Sequence, residues 1–241
     1  MNKKIIKFRE ISSTNTYLKE LAKKNAPFGT AIMAKSQTNG RGRLDRSFSS
    51  EVGGLYLSIL LPVNDPEQVG LITTYTAVAV ARAIEKNAPL SIGIKWVNDL
   101  YAGGKKLCGI LAEGGFNDLG GYAVVGIGIN LHNKLPQELS DIATSVFLES
   151  GVKIDENKLA EDILAEFGDI ESINFSKNLD EYRHRSIVLG KNIEVMPHLS
   201  PTYTATVLEI DNDGGLIVSV GEKKEKLFSG EISIKIQKDK D

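Results

Sequence analysis

Apolar positions along this chain switch repeatedly between short β-type runs and longer stretches of helical spacing. Residues 5–8 form an apolar run that can open a sheet. Ser12, Ser13, Thr14 and Asn15, all good N-cap types, follow it. Tyr17, Leu18, Leu21 and Ala22 then recur at helical spacing, predicting a helix of about three turns that Pro27 and Gly29 end. Residues 29–36 read as a second strand, and 55–61, entered through Gly53-Gly54, as a third. Between them, residues 37–52 show no periodicity and hold three arginines and two glycines, which predicts a long, mobile loop. Loops of that length inside a compact domain are usually functional.

Val69, Ile72, Thr76, Val80 and Ile84 share roughly one helical face, predicting an amphipathic helix over 66–87 that starts at Pro66. Strands follow at 92–96, 106–113 and 122–130, with turns at 101–104 and 114–121. A helix is expected over 155–170, capped by Asp155, and another over 178–185. Near residue 187 the texture changes to short alternating runs. Residues 191–195, 202–210, 216–220, 224–228 and 232–236 read as five strands, with a hairpin turn at 211–215. The expectation is an α+β chain of two domains, 1–186 and 187–241, the second a small barrel of SH3 type.

Composition narrows the function classes. The chain has 241 residues, a formal net charge of -2, 41% hydrophobic and 25% charged residues, ordinary values for a soluble globular protein. The slightly acidic balance argues against nucleic acid as the main partner, so no DNA binding is expected. No apolar run approaches the length of a signal peptide or membrane span, so a cytoplasmic protein without membrane contact is expected. The single cysteine, Cys108, lies among apolar residues with no histidine near it in sequence and reads as a core residue. His132, His184 and His198 have no metal-ligand spacing, so any metal would be Mg²⁺ arriving with a nucleotide.

Several short motifs carry candidate chemistry. In Gly40-Arg41-Gly42-Arg43, with Arg46, glycines let backbone N–H groups approach a phosphate and arginine forks bind its oxygens; a solvated basic turn is the plain alternative. Lys95-Trp96-Val97-Asn98-Asp99 ends a strand and by itself reads as an edge Trp with a turn-forming Asn-Asp pair. Gly126-Ile127-Gly128-Ile129-Asn130 lacks the third glycine of a dinucleotide fingerprint and closes a strand instead of opening a helix.

Taken in order, Ser13-Thr14-Asn15, the 40–46 loop, Gly53-Gly54-Leu55-Tyr56, Lys95 to Asp99, Lys106-Leu107-Cys108-Gly109-Ile110-Leu111 and Gly126 to Asn130 resemble the catalytic domain of the biotin–protein ligases. The likeness spans about residues 5–185, and the terminal barrel fits that family's C-terminal domain. The resemblance implies a mixed-sheet, class II synthetase-like domain of the shorter, ligase-only type, without an N-terminal DNA-binding domain. It implies biotin and ATP as substrates, with Mg²⁺, and transfer to a lysine on the carboxyl carrier domain of a biotin-dependent carboxylase. It leaves a homodimer open. Lys106, Arg41 and Arg43 would be catalytic. Ser13, Thr14, Asn15, Gln37, Arg41, Gly42, Arg43 and Lys106 would hold biotin. Gly40, Arg43, Arg46, Phe48, Trp96, Asn98, Lys106 and Asn130 would hold ATP or the adenylate, with Asp99 near the metal. A lipoate–protein ligase or octanoyl transferase of the same fold is the alternative. Three positions depart from the family pattern: Asp45 for a glycine, Phe48 for a tryptophan and Val97 for a proline. Phe48 keeps an aromatic face for adenine.

Overall fold

The computed structural model describes residues 5–44, 46–65, 68–197, 200–228 and 232–236. Asp45, the expected helix start at Pro66, and His198 lie outside them. The first sheet has seven strands: β1 (Ile5–Ile11), β2 (Ala31–Gln37), β3 (Leu55–Pro62), β4 (Gly93–Lys95), β5 (Asp99–Ala102), β6 (Lys105–Asn117) and β7 (Gly120–Ile129). Their spatial order is β1-β2-β3-β7-β6-β5-β4. Only β1 and β2 pair in parallel, as expected for strands joined by a crossover helix. That helix is α1 (Thr14–Ala22), capped by Ser13. It stops well before Pro27, in a turn where Asn25 takes a left-handed φ of 58°.

Helix α2 (Gln68–Asn87) differs from the amphipathic reading. From Ile72 to Ile84 every residue but Arg82 is buried. One side of the helix lies on the sheet, closest to β6 and β5, and shares its core with alternate β3 residues Leu55, Leu57, Ile59 and Leu61. The other side is covered by α4 (Glu156–Glu166) and α5 (Leu179–Arg185). Ala77, Ala79, Ala81 and Ala83 keep it slim enough to be packed from both sides. Arg185 fixes α5 to α2 with two bonds to Glu85, at 2.7 and 2.8 Å. A short helix, α3 (Val146–Ser150), was not anticipated; Ser145 caps it.

Two turns fell elsewhere than predicted. Asp99 to Ala102 form a strand, and the reversal is confined to Gly103-Gly104, both at positive φ. Likewise Gly114 and Gly115 lie inside β6, where the Tyr122 ring occupies the space a Gly115 side chain would need, at 2.6 Å. The glycines there mark close packing on a strand instead of a bend.

The second sheet is antiparallel: β8 (Asn192–Pro197), β9 (Tyr203–Ile210), β10 (Leu216–Val220), β11 (Lys223–Leu227) and β12 (Ile232–Ile236), ordered β11-β10-β9-β8-β12. It shares no strand with the first, giving an α+β protein with a small C-terminal domain. The chain passes between them through a bond from Ile187 N–H to the Ile94 carbonyl. No described helix is long and apolar enough to cross a membrane.

Candidate active site

The two faces of the large sheet are treated differently. One is filled by α2. On the other, α1 covers only Ile32, Leu60, Tyr122, Val124 and their neighbours, leaving the middle of β3, β7 and β6 open. Pairing aligns two rows there. Ser58, Gly126 and Leu111 face one another, and so do Tyr56, Gly128, Gly109 and Asp99. Rows two residues apart share a face and lie about 7 Å from each other. Three of these positions are glycine, so the floor has no side chains where a cavity is needed. That cavity holds about 160 Å³ of water-accessible space.

The first row is polar. Asn15 reaches into space that a Gly126 side chain would fill, its Oδ1 2.2 Å from the missing Cβ position. Its amide nitrogen donates to the Leu111 carbonyl and to Glu113, so its oxygen faces the Ser58 hydroxyl, which donates at 2.6 Å. Gln37 accepts from both the Thr14 amide and hydroxyl, at 2.8 and 3.0 Å, while donating to Ser50. The result is a recess whose donors and acceptors are held in fixed directions.

The second row is cationic and aromatic. The Phe48 ring lies on the glycine floor, 2.6 Å from where a Gly128 Cβ would stand and 3.3 Å from a Gly109 Cβ. Lys106 ion-pairs with Asp99 at 2.7 Å, though at an angle outside hydrogen-bond geometry, so Asp99 Oδ1 is buried with an ionic partner and no hydrogen bond. Asn98 fixes its amide by donating to the Ile110 carbonyl and accepts from Arg43 Nη1 at 3.1 Å. The 37–52 segment, read from sequence as a long loop, is cross-tied at its described residues. An Arg41–Ser47 bridge, a bond from Gly42 N–H to the Arg46 carbonyl and one from Phe48 N–H to the Gly40 carbonyl close it into a hook over the cavity.

Five cationic side chains line the cavity (Arg41, Arg43, Arg46, Lys95 and Lys106) against one carboxylate, Asp99. An excess of four positive charges in a chain of net charge -2 marks a site for a polyanion. Lys95 has no ion-pair or hydrogen-bond partner for its ammonium among the described residues, and burial, with Lys106 and Arg46 nearby, pushes its pKa down. Just behind the wall, Glu113 binds Lys19 at 2.9 Å and Arg41 at 3.1 Å. Burial opposes the Glu113 charge, but the Lys19 and Asn15 hydrogen bonds outweigh it and hold the carboxyl below its usual range.

Of the residues singled out from sequence, Ser13, Thr14, Asn15, Gln37, Arg41, Gly42, Arg43, Arg46, Phe48, Trp96, Asn98, Asp99 and Lys106 all line this one cavity. Gly40 and Asn130 do not. Gly40 stands where a Cβ would meet the Phe48 carbonyl at 2.3 Å, so it allows the hook to close. Asn130 is buried, its amide committed to the Thr144 carbonyl and to Asn133. Phe48 touches the floor instead of standing free. Trp96 donates its indole N–H to the Gly214 carbonyl of the small domain at 2.9 Å. Cys108 is fully buried and its thiol pKa is raised by burial, as a core residue's should be. Sequence reasoning gave no role to Lys95, although it lies inside a quoted motif, nor to Glu113. It missed Ile234 of β12, a cavity residue from the small domain with no local signal.

This architecture, a glycine-floored cavity under a cationic hook, is that of an acyl-adenylating ligase. The chain belongs to the biotin/lipoate A/B protein ligase family, whose model matches residues 7–130. It is 34% identical to the bifunctional ligase/repressor BirA of Bacillus subtilis, over 97% of this chain and 75% of that protein. It is 31% identical to the biotin–[acetyl-CoA-carboxylase] ligase of Mycobacterium tuberculosis, over 92% and 86%. The biotin protein ligase from Aquifex aeolicus, solved in complex with biotin and ATP, superposes with a TM-score of 0.80 at 30% identity, covering 98% of this chain and all of that one.

Proposed function

We propose that this chain is an ATP-dependent biotin–protein ligase that makes biotinyl-5'-AMP and passes biotin to a lysine of a carboxyl carrier domain. The observation that carries the reading is the pairing of a fixed polar recess with a strongly cationic row about 7 Å away on the same glycine floor. A fused ring bearing a ureido group can pair with the Thr14, Asn15, Gln37 and Ser58 network. A dithiolane or alkyl chain brings no donor or acceptor to that polar row, which disfavours lipoate or octanoate.

In the first half-reaction a carboxylate oxygen bonds to the α-phosphorus while the bond to the pyrophosphate oxygen breaks, and pyrophosphate leaves with the electron pair. Two anions must meet, so charge has to be cancelled in advance by groups already in place. Lys106 sits where it neutralises both, trading its contact with Asp99 for the incoming oxygens. Arg41 and Arg43 descend with the hook onto carboxylate and phosphate, and Lys95 and Arg46 face the departing pyrophosphate. Asp99, whose buried Oδ1 has the Lys106 ammonium beside it but no hydrogen bond, would be the carboxylate to hold an Mg²⁺ brought by ATP, which would screen phosphate charge. In the second half-reaction the carrier lysine's amine attacks the acyl carbon and AMP departs. Until then the hook excludes water from the mixed anhydride. We also place the domain boundary near residue 187.

The test is to incubate the protein with biotin and α-labelled ATP and isolate it rapidly. Biotinyl-adenylate bound in near-stoichiometric amount is the expected result. Pyrophosphate exchange driven by lipoate or octanoate and not by biotin would overturn the reading.

A further inference from the structure

We infer that residues 211–215, a turn of the C-terminal sheet, are a positioning element for adenylate formation, acting through the indole of Trp96. The turn is built to be rigid. Asp211 Oδ1 accepts from the backbone N–H groups of Asp213 and Gly215, at 3.2 and 2.9 Å, and Lys226 bridges the Asp211 and Asp213 carboxylates. It is also seated closely on the large domain. A Cβ at Gly70 of α2 would stand 3.1 Å from the Asp213 carbonyl, and one at Gly214 would stand 3.2 Å from Thr74 Cγ2. Gly214 takes a φ of +82°, which favours glycine. From α5, Arg183 donates to the Ile210 carbonyl at 2.8 Å and to Asn212 at 2.9 Å.

What this seated turn presents inward is the Gly214 carbonyl, and its partner is the Trp96 N–H. Trp96 is 4% exposed and flanked by the residues that face the phosphates. The next carbonyl, Val97, accepts from the Tyr182 hydroxyl at 3.0 Å. The segment carrying Lys95, Asn98 and Asp99 is therefore pinned from two sides, one of them the small domain. Asn98 in turn receives Arg43, so the hook closes on a surface whose position the turn sets. A contact serving only to join two domains has no need to end on Trp96, which stands between Lys95 and Asn98 and itself lines the cavity. The turn positions; it touches no substrate.

The inference rests on the ligase reading. If that reading fails, the unaltered protein shows no biotin-dependent exchange at all; if only the inference fails, the variants exchange normally. Trp96 is the sole tryptophan, so its emission reports the contact directly. Gly214→Ala, by strain and contact with Thr74, and Arg183→Ala, by loss of a tether outside the cavity, both loosen the turn while keeping Trp96. In each folded variant, Trp96 emission should move to the red and become more open to acrylamide. The kcat of pyrophosphate exchange should fall roughly tenfold, the alignment worth about one buried hydrogen bond, with KM for biotin unchanged. If Gly214→Ala does not fold, Arg183→Ala carries the test. Full kcat in a variant whose Trp96 emission has moved, or loss appearing only as a lower melting temperature, overturns the inference.

Discussion

Gly128→Ala tests the glycine floor with a single methyl group. The added Cβ would lie 2.6 Å from Phe48 Cε1 and 2.9 Å from Cζ. Ordinary carbon contacts are about 3.5–4.0 Å, so the ring has to retreat by about 1 Å. Rotating the ring alone would take it off the Gly109 floor and out of its edge-on packing with Tyr56, 6.4 Å between centroids. Its backbone is tied to the Gly40 carbonyl at 2.9 Å, and its own carbonyl accepts from Ser50. The hook therefore lifts as a unit, taking Arg41 and Arg43 with it. Displacement of a catalytic group by about 1 Å costs on the order of 10²-fold in rate, or about 2.7 kcal/mol of barrier. The sheet itself should not suffer, because Ala is favoured over Gly inside a strand by roughly 0.5–1 kcal/mol. The expected outcome is a ~10²-fold drop in kcat/KM for biotin-dependent pyrophosphate exchange with an unchanged melting temperature. Phe48→Leu added to Gly128→Ala removes the ring that the methyl group meets and should recover part of the lost rate. Full-rate exchange by Gly128→Ala would refute the argument that Phe48 on the floor sets the height of the hook.

Three further outcomes follow from the same geometry. Lys106→Ala removes the charge that meets both reactants and should slow pyrophosphate exchange by ~10²–10³-fold, as loss of one preorganised donor does; normal exchange would exclude the role. Arg43→Ala unlatches the hook from Asn98 and should release biotinyl-adenylate faster, lowering carrier labelling, with gel filtration of the loaded enzyme as the check; unchanged retention would argue against a latch. Asp162 is held by the Asn87 amide at 2.8 Å and Lys86 at 2.6 Å, which lower its carboxyl pKa from 3.8 to about 2. A depressed folded-state pKa stabilises above the unfolded value and loses that contribution as pH falls toward 2. Asp162→Asn should therefore lower the urea midpoint at pH 7 and flatten its decline between pH 4 and 2, and an identical pH profile would refute the assignment.

The small domain's part in the site changes how the two-domain layout is understood. Ile234 of β12 reaches the cavity wall, and Gly214 holds Trp96 from behind. The C-terminal domain thus bears on the cavity in two places, though its strands look like an independent barrel.

Local information was enough to read much of this protein. Strand runs such as 216–220 and 232–236 alternate on a period that the backbone alone imposes, and Asp155 announces its helix because an N-cap needs only its own next turn. The site residues were named through a resemblance carried by six short motifs in order, since glycine beside arginine, or Lys95 to Asp99, reads by itself as a plain turn; thirteen of them line the one cavity. Tertiary structure alone decided what depends on partners distant in the chain. Gly114 and Gly115 read as a turn until β6 runs straight through them and Tyr122 fills the space beside Gly115, and α2 read as amphipathic until α4 and α5 close on its outer side. Asn130, buried at the end of β7, has its amide tied to Thr144 and Asn133, partners that its own motif does not announce. Gly128, Gly109, Gly126 and Phe48 become one floor only when β3, β7 and β6 pair in register. A cavity is made by side chains that are missing as much as by those present, and no local pattern records which distant residue occupies the space a glycine leaves.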